Sequence, residues 1–196
     1  MLFGRAPHSV LVVSGGGKIA DFLSEALDSR AYSPVIQAKS GAEARNILIS
    51  QSFDIIIINS PLSDEFGSEL ALMLTENTVC GVILIVKSDA LDEISDRVEQ
   101  YGVLAVGKPI PRGFFSQLLR ITTANVERLK RLERENKKLS FKIDEIRLVN
   151  RAKWVLIEYL KMSEPQAHRY IEKQAMDMRI TRREVAESII KTYENL

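Results

Sequence analysis

Cysteine and histidine are nearly missing from this chain, which has one cysteine, Cys80, and two histidines, His8 and His168, in 196 residues. A lone cysteine excludes an intrachain disulfide, and two imidazoles with one thiol leave no Cys/His set for zinc. No metal is assigned. Long apolar stretches are missing too: apolar runs such as Ile55–Ile58 and Val82–Val86 fall far short of the roughly 20 residues that span a bilayer. The first residues show neither the apolar core nor the cleavage site of a secretory signal. A cytoplasmic location away from membranes is the expectation. Nowhere do a nucleophile, a base and an orienting group converge, so no catalytic residue or cofactor is assigned and a non-enzymatic protein is expected.

What is present is a folded composition, 45% hydrophobic and 27% charged. The net charge of +1 hides an asymmetry. Residues 1–120 hold ten basic against fourteen acidic side chains, a balance of −4, and residues 121–196 hold seventeen against twelve, a balance of +5. An acidic front and a basic tail point to two modules, the second able to meet a polyanion.

The front alternates short apolar runs with helical stretches. The runs are Ser9–Val13, Val35–Ile36, Asp54–Ile58, Val82–Val86 and Val103–Val106. Continuous Val/Ile strands suit a parallel sheet covered on both faces. Between them, Ile19 to Leu27 and Ala42 to Leu48 carry helical spacing, and Ser40 three residues before Glu43 is a capping box. The pattern predicts an α/β fold, a doubly wound (βα)5 sheet, with ligand chemistry at the carboxyl ends of its strands. Gly15-Gly16-Gly17-Lys18 lacks the full phosphate-loop spacing and reads as a permissive strand-to-helix turn.

Residues 8–120 resemble the receiver domain of two-component response regulators. Asp54 before the third strand, Pro61 and Gly67 after it, and Lys108-Pro109 after the fifth carry the likeness. The resemblance implies an aspartyl phosphoacceptor and an acidic pair holding Mg²⁺, and this chain departs from both. Asn59 stands at the acceptor position and Ser14-Gly15 at the acidic pair. Val86 takes the place of the hydroxyl residue of the fourth strand, and Ala105 that of the aromatic switch. Of the pocket remnants Ser14, Gly15, Asn59, Val86 and Lys108, only the lysine keeps the family's residue. The expectation is a pseudo-receiver in which Lys108 bonds Asn59 or a neighbouring carbonyl.

From Leu118 no Gly or Pro occurs until Pro165. One heptad frame fits, with Thr122, Leu129, Asn136, Ile143 and Asn150 at a and Leu118, Asn125, Leu132, Leu139 and Ile146 at d. Arg128, Glu133, Glu135, Lys142 and Arg147 flank it. The pattern predicts a coiled-coil linker over 121–150 and a parallel homodimer whose seam uses Leu118, Leu129, Leu132, Asn136, Leu139, Ile143 and Ile146. A buried Asn136 would fix its register. An amphipathic helix packed on its own chain is the other reading of the same stripe.

The tail continues as helices. Ser163-Glu164-Pro165 opens one, and Thr181 with Glu184 is a second capping box, before Val185, Ala186, Ile189 and Ile190. Arg151-Ala152-Lys153, Leu156, Ser163-Glu164, Ala167, Ala175-Met176-Asp177 and Val185-Ala186 resemble the ANTAR domain, named for the AmiR and NasR antitermination regulators, over about residues 140–196. Trp154 stands where the family usually has glycine, and Ile157 where it usually has methionine. The resemblance implies RNA as partner: a dimer holds leader-transcript hairpins in a form that prevents the terminator. Arg151, Lys153, Lys173, Arg179, Arg182 and Arg183 are the candidate RNA contacts, and a regulatory protein or small ligand at the pseudo-receiver is the candidate switch. Ala167 and Ala175 read first as packing residues. A dimeric regulator whose basic tail docks a protein instead of RNA is the competing reading.

Overall fold

Ile55–Asn59, five residues without one exposed side chain, form the central strand of a parallel sheet. The computed structural model describes residues 7–16 and 18–193. Gly17 of the glycine-rich turn lies outside the described residues. The chain divides into two compact units, one ending at Arg131 and the other starting at Leu132.

In the first unit β1 (His8–Val13), α1 (Lys18–Ala26), β2 (Tyr32–Ala38), α2 (Gly41–Ser50), β3 (Ile55–Asn59) and α3 (Ser68–Asn77) alternate. They are followed by β4 (Gly81–Lys87), α4 (Leu91–Val98), β5 (Val103–Lys108) and the start of α5 (Arg112–Leu160). The strand order is β2-β1-β3-β4-β5, all parallel, so the chain reverses its winding direction after β2. Strand periodicity sorts the apolar residues into two cores. Leu11, Val13, Ile56, Ile58, Val82, Leu84 and Val86 line one face. Val10, Val12, Ile55, Ile57, Ile83 and Ile85 line the other, against Leu23, Leu27, Phe115 and Leu119. Ser40 caps α2 as its sequence predicts, accepting from the Glu43 N–H at 3.1 Å, while Glu43 reaches back to the Lys39 N–H at 2.7 Å.

Helix α5 crosses this unit closely. Thr122 and Val126 are buried against Gly81, where a Cβ would lie 2.3 Å from Thr122 Cγ2, so only glycine lets the helix pass. Leu118 is half-buried against the unit's own core and belongs to it before it belongs to any open seam. At the amino ends of the strands Asp54 binds the helix: Lys130 Nζ donates to Oδ1 and the Ser9 N–H to Oδ2 at 3.0 Å, with His8 Nδ1 at 3.4 Å. Burial pushes the Asp54 carboxyl up, but those hydrogen bonds outweigh it and hold the group below its ordinary value.

In the second unit the end of α5 supplies Ala152, Val155 and Leu156 to a core completed by α6 (Glu164–Met178) and α7 (Arg182–Tyr193). Ala167, Ile171 and Ala175 come from α6, and Val185, Ala186 and Ile189 from α7. Ala167 and Ala175 are thus packing residues, as first read. Ser163 precedes α6 with its N–H donating to Gln166 Oε1 at 2.8 Å. Thr181 and Glu184 form the predicted box before α7: the Thr181 N–H donates to Glu184 Oε2 at 2.7 Å, the Glu184 N–H to Thr181 Oγ1 at 3.2 Å. The Thr181 N–H and hydroxyl, both donating to Glu184 Oε2 at 2.7 Å, hold the Glu184 carboxyl below its ordinary value.

Candidate functional site

The carboxyl ends of β1, β3 and β5 bring Ser14, Asn59 and Lys108 together. Asn59 is buried, its Nδ2 donates to Ser14 Oγ at 3.0 Å, and its Oδ1 has no partner among the described residues. Lys108 Nζ donates to the Ser60 carbonyl at 2.6 Å, so of the two partners predicted for it the neighbouring carbonyl is the one it takes. Burial, and then the charge of Lys87, lower the Lys108 ammonium. Gly15 is exposed with open space around it. Val86 is not a pocket residue: its side chain is fully buried in the core with Ile58 and Leu84. The hydroxyl near this end of β4 is Ser88, two residues later, which donates to the Lys108 carbonyl.

A receiver's Mg²⁺ does not fit this donor set. A hard dication needs carboxylate oxygens, and these strand ends offer a hydroxyl, an amide and an ammonium. The carboxylates of the following loop are committed elsewhere. Asp64 accepts the N–H groups of Gly41 and Ala42, both at 2.9 Å, and Glu65 pairs with Arg45 at 2.6 Å. The Asn59 side chain is an amide and forms no acyl phosphate.

The six basic candidates of the tail do not form one cluster. Arg151 and Arg183 line a cavity of about 300 Å³ together with Arg147, a flank of the heptad pattern. Lys153 and Arg182 line another, of about 390 Å³, with Lys142, Asn150 and His168. Lys153 is only 17% exposed at its side chain and its Nζ meets Glu164 Oε1 at 2.7 Å, a bond that lowers the Glu164 carboxyl. Arg182 faces Glu145 at 3.4 Å and Glu172 at 3.9 Å, and Arg183 pairs with Glu187 at 2.9 Å. Lys173 and Arg179 are exposed at the middle and end of α6. Along α5, Leu129, Leu132, Leu139, Ile143 and Ile146 are 43–60% exposed, and Asn136 is exposed among them.

Residues 137–190 match the model of the ANTAR domain. The chain carries an ANTAR domain. Over 187 residues, 95% of this chain and 91% of the other, it is 26% identical to the transcriptional regulatory protein PdtaR of Mycobacterium tuberculosis. It is also 33% identical over 89 residues to the TorCAD operon transcriptional regulatory protein TorR of Escherichia coli, covering 45% of this chain and 38% of TorR. In fold it is similar to the chemotaxis response regulator CheY4 of Vibrio cholerae, with a TM-score of 0.53 and 18% identity over 60% of this chain and 99% of that one. The signal receiver domain of an HD domain-containing protein from Pseudomonas fluorescens gives 0.58 and 18%, over 65% and 94%. The ANTAR domain therefore follows a receiver-like domain. Among the described residues no helix is long and apolar enough to cross a membrane.

Proposed function

We propose that this ANTAR protein is a cytoplasmic RNA-binding antitermination regulator that works as a homodimer and performs no catalysis. In this reading residues 1–120 are the pseudo-receiver, 121–150 the linker helix and 140–196 the RNA-binding module. The exposed stripe of α5 pairs two chains, and the paired modules hold two hairpins of a leader transcript so that the terminator hairpin cannot form. The ANTAR match is the observation that carries the reading. Physically, single-stranded RNA loops are bound through phosphates and unstacked bases. A helical surface with arginines converging on a cavity, as Arg147, Arg151 and Arg183 do, suits that chemistry.

Control passes through the first unit without aspartyl phosphate. Asn59 bound to Ser14, and Lys108 bound to Ser60, leave a pocket built for neither phosphoryl transfer nor Mg²⁺. A regulatory protein or a small ligand acting on the pseudo-receiver is the switch that remains.

The test is binding of the full chain to a two-hairpin leader RNA and to a version with scrambled loops, at physiological salt. A preference of about 10-fold or more for the native loops, roughly 1.4 kcal/mol, is expected. Equal binding to both would refute the proposal. It would favour the alternative of a dimeric regulator whose basic tail docks a protein partner.

A further inference from the structure

The only tryptophan of the chain is on the surface. Trp154 is 71% exposed, although a tryptophan gains more from burial than almost any other side chain. Its position on α5 explains why its own unit cannot cover it. Ala152, Val155 and Leu156 point into the core, and the helical period turns residue 154 to the opposite face.

That face is mostly basic and polar. Arg151 and Asn150 lie three and four residues before Trp154, Arg147 lies seven before, and all three are exposed. Glu158, four residues later, is the one acidic neighbour at this spacing. Arg147 and Arg151 also share a cavity with Arg183 of α7, where Asp144 faces Arg147 at 3.8 Å. An exposed indole beside guanidinium groups is the combination that holds unpaired nucleotides: the ring stacks on a base and the cations take the flanking phosphates. Arg147 and Asn150 also belong to the heptad pattern of α5, so a second copy is the competing occupant of this patch.

Resting on the RNA reading above, we propose that Trp154 is a stacking platform for an unpaired RNA base, with Arg147 and Arg151 holding the adjoining phosphates. Phosphate contacts give affinity for any RNA, whereas the indole adds a term that only an unpaired base can use. The chain should then prefer looped RNA over fully paired RNA of the same length.

Because Trp154 is the sole tryptophan, its emission reports on this position alone. The full chain is titrated with a stem-loop RNA bearing an adenine-rich loop and, separately, with a fully paired duplex of equal length. Quenching of the indole by the stem-loop and not by the duplex is expected. Trp154→Ala should weaken stem-loop binding by about 5-fold or more, the low end for one base stacked on an aromatic ring. Trp154→Phe should recover part of that loss, and duplex binding should stay constant in both variants. An unchanged unfolding midpoint confirms that the exposed position carries no packing. Equal stem-loop affinity in Trp154→Ala, with no quenching in the parent chain, would overturn the stacking proposal while leaving RNA binding intact. Weaker self-association in Trp154→Ala with unaltered RNA affinity would also overturn it, by giving the indole to a second copy. Failure of the parent chain to bind either RNA would remove the RNA reading itself.

Discussion

Replacing Leu132, Leu139 and Ile143 together with glutamine tests the proposed dimer with a calculable effect. These side chains are 43, 57 and 50% exposed, so roughly half of each remains to be covered by a partner. Fully burying an aliphatic side chain is worth about 1.5–3 kcal/mol, so the uncovered half is worth about 1 kcal/mol. Three residues on each of two chains then contribute roughly 6 kcal/mol, about four orders of magnitude in the dimer dissociation constant. Glutamine nearly matches leucine in helix propensity, which keeps the loss in the interface and out of the helix. None of the three belongs to a buried core cluster, so the stability of either unit should change little. Sedimentation equilibrium reads the dissociation constant, and thermal unfolding reads the stability. A dimer as tight as the parent's would show that the stripe is not the seam. A drop of many degrees in the midpoint would show that these residues already pack within their own chain. RNA affinity must fall with dimerisation, and a monomeric triple variant that keeps it would refute the paired-hairpin mechanism.

Two further outcomes follow from the first unit. Asn59→Asp should not restore phosphorylation, because Ser14 and Gly15 still supply no carboxylate for Mg²⁺; an Mg²⁺-dependent shifted band in phosphate-affinity electrophoresis after acetyl phosphate treatment would contradict this. Asp54 has a lowered native carboxyl, so its stabilisation is present above the ordinary carboxylate value and is lost as pH falls through the lowered one, below about pH 4. Asp54→Asn should therefore be less stable than the parent at neutral pH and lose less on acidification, and parallel stability curves over that window would exclude the Lys130–Asp54 contact as their source.

Features set by local sequence could be read directly. Ser40 with Glu43 and Thr181 with Glu184 cap their helices because a capping box needs only four consecutive residues. The Val/Ile runs placed Asn59 at a strand end because a fully buried parallel strand has few other ways to be written. Val86 was misplaced for a reason intrinsic to strands: their period is two, so an uncertainty of one residue exchanges pocket for core. Ser88, whose hydroxyl donates to the Lys108 carbonyl, lies beyond the strand, in a turn whose path no periodicity predicts. The contact of Asp54 with Lys130 joins residues 76 apart, and Lys153 with Glu164 depends on how α6 folds back on α5. Contacts of this kind come from tertiary approach, and a sequence pattern carries no signal for them. Arg147 is a heptad flank by its spacing, and only the placement of α7 sets it beside Arg183.

The central claim is loop-specific RNA binding, and it is tested most directly by following the native and loop-scrambled two-hairpin RNAs across a salt series. Phosphate contacts make both affinities fall as salt rises. The account predicts that the native loops stay about 10-fold or more tighter at every salt concentration, since base contacts release no counterions. Two curves that coincide throughout would leave only a basic surface without sequence preference, and would contradict it.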